Sequence, residues 1–100
     1  MIKHIVLWKL KDSFEGKSKK ETAQLLKAAL EGLKGKIKEI HALEAGINFN
    51  PAGTACDISL YSEFKTRQDL ENYQKHPEHL KVAELVRQVT VERRVSDYEV

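Results

Sequence analysis

Residues Ile2 to Leu10 read Ile-Lys-His-Ile-Val-Leu-Trp-Lys-Leu, a β-prone run in which neither face is polar. In an extended chain successive side chains point to opposite sides. Ile2, His4, Val6, Trp8 and Leu10 therefore share one face, and Lys3, Ile5, Leu7 and Lys9 the other. A sheet with one wet side alternates cleanly between apolar and polar residues. This strand does not, so the sheet it joins needs a cover on both sides.

The rest of the chain supplies one of those covers. After a loop from Lys11 to Lys17, Ser18-Lys19-Lys20-Glu21 fits a capping box, with Ser18 accepting from an early backbone amide and Glu21 reaching back. Thr22, Leu25, Leu26, Ala29, Leu30 and Leu33 follow at helical spacing, predicting a helix over 19–34 that ends at a left-handed Gly35. Alternation resumes from Ile37 to Phe49 as a long second strand, ragged at Glu39 and His41, with Gly46 marking a bulge or bend. Asn50-Pro51-Ala52-Gly53 is turn chemistry, and Asp57 to Phe64 alternates again, so strands two and three are expected to form a hairpin. Thr66 is placed to cap a short helix carrying Leu70 and Tyr73. Pro77 ends that helix by disfavouring helical geometry in the residue before it, and then opens the next, whose stripe is Val82, Leu85, Val86 and Val89. A last strand spans Thr90 to Val100.

This βαββαβ order is that of the split βαβ sandwich, an α+β fold with a four-stranded antiparallel sheet and helices on one face. Right-handed connections put both helices on the same side, which leaves Ile5, Leu7 and Tyr61 bare. Apolar patches of that kind mark interfaces. Burying several hundred Å² more would gross on the order of 10 kcal/mol at about 25 cal/mol per Å², comparable with the whole stability of a small domain. A homodimer formed sheet against sheet is the expected partner arrangement.

At 100 residues the chain reads as a single domain, 1–100, with a thin core, which is a further reason to expect a partner. No run approaches the roughly 18 apolar residues of a membrane span, and the start reads as a strand rather than a signal segment, so a cytoplasmic protein is expected. Cys56 stands alone, excluding an internal disulfide. The cations are concentrated early, with Lys9, Lys11, Lys17, Lys19 and Lys20 flanking a polar loop whose one aromatic is Phe14. Nucleic-acid binders interleave such charge with stacking aromatics, so this is read as solvated loop charge. Arg93 and Arg94 are likewise read as solvated.

Chemistry concentrates in Tyr73-Gln74-Lys75-His76-Pro77-Glu78-His79, the one stretch where groups that move protons near neutrality cluster. Tyr73 and His79 suit a donor and a general base acting on a carbonyl compound. The plainer reading is that His76 caps the helix that Pro77 begins and that a buried Tyr–His hydrogen bond satisfies two polar groups. His4, on an apolar face, is a core histidine or a pocket-lining group, and Trp8 is core or the aromatic floor of a pocket. The histidines lack the carboxylate or cysteine spacing of a metal site, so neither metal nor cofactor is expected.

Four stretches in order, Met1 to Asp12, Leu43 to Asn48, Tyr73 to His79 and Val95 to Tyr98, resemble the stress-responsive dimeric α/β-barrel (Dabb) domain family over nearly the whole chain. The resemblance implies a ferredoxin-like sandwich whose sheets pair into a barrel-like dimer, with an activity that is unassigned for most members. One member type, the plant olivetolic acid cyclase, is a cofactor-free aldol cyclase. Its proposed acid/base pair corresponds to Tyr73 and His79 and its first-strand histidine to His4, while its third-strand histidine is replaced here by Ile58. The resulting expectation is a pocket between sheet and helices, lined by His4, Trp8, Tyr73, His76 and His79, for a small apolar or carbonyl-containing molecule. Against it stand a cofactor-independent cyclase, lyase or monooxygenase and a purely structural stress protein.

Overall fold

The computed structural model describes all 100 residues. In chain order they form β1 (Ile2–Leu10), a miniature hairpin of β2 (Ser13–Phe14) and β3 (Lys17–Ser18), α1 (Lys19–Glu31), β4 (Ala42–Ile47), β5 (Ile58–Phe64), α2 (Arg67–Lys75), α3 (Pro77–Val89) and β6 (Thr90–Glu99). The main sheet runs β4-β5-β1-β6 with every neighbouring pair antiparallel. This is the ferredoxin-like arrangement. The helices cover one face.

The alternation of β1 determines which face that is. Ile2, His4, Val6, Trp8 and Leu10 are all buried, and the residues between them are half-exposed. The covered face divides into two packed groups. Val6, Trp8, Leu10, Ile58 and Leu60 meet Ala23, Leu26 and Leu30 of α1 and Val89 of α3. Ile2 and Phe64 meet Leu70 and Tyr73 of α2 together with Leu33, Ile37 and Ile40. Removing a fully buried large apolar side chain such as Phe64 would cost about 3–5 kcal/mol, a large share of what so small a domain has.

Local signals act as the physics requires. The Ser18 hydroxyl accepts from the Glu21 amide at 3.2 Å, and the Glu21 carboxylate accepts from the Ser18 amide at 3.0 Å. Thr66 accepts from the Asp69 amide at 3.0 Å to start α2. His76 is extended (φ −64, ψ 137), as a residue preceding proline must be, and Pro77 opens α3.

Three local expectations are corrected. The helix gives way at Gly32 to a 3₁₀ turn through Gly35, and Gly35 is not left-handed; Gly16 is the glycine with positive φ (78°), beside Glu15 (49°), in the tight turn of the β2–β3 hairpin. Ile37 and Ile40 lie not in a strand but in a turn-rich segment that folds under the sheet, their side chains claimed by the core, so β4 starts at Ala42. Gly46 pairs regularly with Ser59, without a bulge.

The bulge lies elsewhere. Leu10 pairs with Thr90 but Lys9 with Glu92, so Val91 is an extra residue in β6. Because side chains alternate, one inserted residue reverses the facing of everything beyond it. Arg93, Val95 and Asp97 are thereby turned to the helix side, in register with Trp8, Val6 and His4.

The opposite face carries Ile5, Leu7 and Tyr61, with Ile5 paired directly to Tyr61. Beside them Lys3 Nζ donates to the Tyr61 hydroxyl at 2.6 Å and to Glu63 at 2.9 Å, and the Tyr61 hydroxyl donates to Glu63. Hydrogen bonding to Tyr61 and then Glu63 holds the Lys3 ammonium pKa above its ordinary value. No helix covers this face, and no helix of the protein is long and apolar enough to cross a membrane.

Candidate functional site

A cavity of about 330 Å³ opens between β1, α2, α3 and the start of β6. Its walls are mostly apolar, including Val6, Trp8, Leu30, Leu60, Val82 and Val86, and the polar side chains of His4, Tyr73, His79 and Arg93 share it with Arg87 and Thr90. It has the size and lining of a small-molecule site.

Each polar group is positioned by a separate element. Tyr73 projects from the last turn of α2, is 1% exposed, and packs its ring on Phe64 at 4.9 Å between centroids. His79 comes from the first turn of α3, its ring 4.5 Å from that of Tyr73 and tilted by 60°. The helix break at His76-Pro77 lets these two residues meet. Had α2 continued, positions six apart would lie about 120° apart around the helix and about 9 Å apart along it. The two make ring contact without the hydrogen bond considered from sequence.

Burial pushes the Tyr73 phenol up to about 12, with the nearby Arg93 charge pulling weakly the other way. The phenol is therefore a donor at neutral pH. Burial also pushes His79 down from the usual histidine value, opposed by the Gln74 backbone carbonyl and reinforced by the charges of His4, Arg93 and His76. His79 Nδ1 is buried and without a hydrogen-bond partner, as is the indole Nε1 of Trp8. A buried polar nitrogen left unmatched costs about 1–3 kcal/mol.

His4 is 3% exposed and donates Nδ1–H to the Asp97 carboxylate. That bond fixes the orientation of the imidazole ring. His4 stands edge-on to Tyr73 at 6.2 Å. His76 is elsewhere, a correction to its expected place in the pocket: its Nδ1 accepts from the Glu78 amide at 3.1 Å, because a residue capping a helix turns its acceptor to that helix's free amides. Ile58 is fully buried in β5, an apolar side chain beside Trp8. No three His, Cys, Asp or Glu side chains converge as metal ligands.

Two residues at the site went unrecognised in the sequence. Asp97 and Arg93 lie in a strand whose facing depends on the Val91 bulge, and no local motif signals that bulge.

The profile of the stress-responsive A/B barrel domain matches residues 2–100. The chain belongs to that family. A dimeric protein of unknown function and ferredoxin-like fold from Bacteroides fragilis is 38% identical, with a TM-score of 0.87 over 99% of this chain and 95% of that one. A dimeric ferredoxin-like protein of unknown function from Thermobifida fusca is 19% identical, with a TM-score of 0.83 over 99% and 90% of the two chains. The hydroxynitrile lyase of Passiflora edulis is 18% identical, with a TM-score of 0.82 over 97% and 90%. At those last two identities the likeness is one of fold. No curated protein matches the sequence. Membership in the family carries the architecture and leaves the activity unassigned, so the chemistry has to be argued from the cavity.

Proposed function

We propose that this Dabb-family protein binds a small, largely apolar carbonyl compound in the cavity between sheet and helices. The observation that carries this reading is the convergence of Tyr73 and His79, both neutral at physiological pH, on an apolar cavity of about 330 Å³. A side-chain-filled interior would suit a purely structural role better. In this reading the Tyr73 hydroxyl donates to the carbonyl oxygen, and Trp8, Val82 and Val86 pack the apolar body.

A second reading, proton transfer, is favoured by the state of His79. A neutral imidazole lining the cavity is a competent base. It would take the proton from the carbon next to the carbonyl, the C–H electrons would pass into the enolate, and Tyr73 would hydrogen-bond the oxygen as charge develops.

The uncovered sheet face supports a homodimer through Ile5, Leu7 and Tyr61, in keeping with the dimeric description of the Bacteroides fragilis relative. The Lys3–Tyr61–Glu63 cluster would lie within that interface with its hydrogen bonds already satisfied.

Trp8 is the single tryptophan and lines the cavity, so its fluorescence reports occupancy directly. Benzylacetone, a neutral aromatic ketone of suitable size, is expected to perturb Trp8 emission saturably, and His79→Ala to abolish the response. Full binding by His79→Ala removes His79 from the site. For the second reading, exchange of the ketone's α-hydrogens in D₂O, followed by NMR, is expected to be accelerated by the wild type and not by Tyr73→Phe or His79→Ala.

A further inference from the structure

We propose that the cavity's ligand is an anion, an apolar body ending in a carboxylate or enolate, and that Arg93 binds its charged end. This rests on the reading of the cavity as a binding site and adds the class of molecule it takes.

The charges around the cavity are one-sided. Its lining contains Arg87 and Arg93 and no carboxylate. Arg87 is engaged by Glu84 at 2.6 Å. The acidic residues near Arg93 are also taken, Glu92 facing Arg94 at 3.4 Å and Asp97 accepting from His4. Arg93 itself has no carboxylate partner, although its charge bears on both Tyr73 and His79. The bulge at Val91 is what turns it to the cavity, opposite Trp8.

Arg93 is exposed, and its unpaired guanidinium at the edge of the apolar cavity attracts a negative group to the cavity mouth. Its planar fork matches a carboxylate with two parallel hydrogen bonds. A cationic ligand would be repelled, and a neutral amide would gain hydrogen bonds without the charge. The volume corresponds to about ten waters, so the apolar body has on the order of ten non-hydrogen atoms.

The test uses isosteric probes, hydrocinnamate and hydrocinnamamide, titrated against Trp8 fluorescence at low and moderate salt, with benzylacetone as the neutral reference. The acid is expected to bind about tenfold more tightly than the amide, with the preference shrinking as salt is raised. Arg93→Gln should bring the two probes to near parity. Arg94→Gln, on the other face of β6, should leave the preference intact. Equal affinity in the wild type, or a preference that survives Arg93→Gln, overturns the anion proposal while leaving the cavity as a site. If none of the three probes registers, the cavity reading itself fails and this proposal with it.

Discussion

Ala83→Leu tests whether the space beside Tyr73 and His79 is empty and usable. Ala83 sits on α3, half-buried, with its methyl group on the cavity. Leucine adds three carbons and is nearly as good a helix former as alanine, so the helix itself is almost indifferent to the change. At about 0.8 kcal/mol per buried methylene the added carbons contribute up to about 2.4 kcal/mol when wholly enclosed. The cavity opens to solvent near Arg87 and Arg93, so about half that, roughly 1 kcal/mol, is the expected gain. For a domain of this size 1 kcal/mol corresponds to about 4–8 °C in melting temperature. The variant should therefore melt higher while losing benzylacetone binding, because the leucine occupies the ligand's place. In a filled interior the same change would overpack and cost about 1–3 kcal/mol. A lowered melting temperature with Trp8-reported binding unchanged would refute the cavity argument. Circular dichroism melts and fluorescence titrations on the same samples give both readings.

Leu7→Asp places a charge in the middle of the uncovered sheet face and should convert the proposed dimer to monomers or to insoluble protein; a soluble dimer of unchanged mass by light scattering would show that the interface lies elsewhere. His79 makes stability depend on pH. Its folded pKa is depressed by burial, so its contribution is complete above the unfolded histidine value of about 6.5 and is lost as pH falls through the folded value. The stability difference between wild type and His79→Gln, from urea midpoints, should thus shift against the wild type between about pH 7 and pH 5. A difference independent of pH would mean that His79 is not held neutral by burial.

Much of the fold was legible because its causes are local. The Ser18 capping box, the Thr66 cap and the His76-Pro77 break each depend on a few adjacent residues, and each forms as its chemistry requires. Where the residues admitted two uses, packing chose between them. Ile37 and Ile40 alternate like strand residues, yet the core beneath Phe64 takes them in a turn. Gly35 and Gly46 were read as a cap and a bulge, but glycine permits those conformations without requiring them. For the site, Tyr73 and His79 stood out by residue type and spacing, and His4 and Trp8 by the burial of their strand face. His76 was assigned to the pocket with them because spacing along the chain does not reveal which way a capping side chain turns.

By itself the sequence determined that β1 carries apolar residues on both faces, one of which the helices cover, and that the chain breaks at Pro77, between Tyr73 and His79. Only the tertiary structure decided which residues of β6 join them. Facing in a strand is a matter of parity, and one unpaired residue, Val91, reverses it. That reversal brings Asp97 to His4 and Arg93 to the cavity, and it arises from how two strands align, a relation between segments some eighty residues apart that neither segment encodes alone.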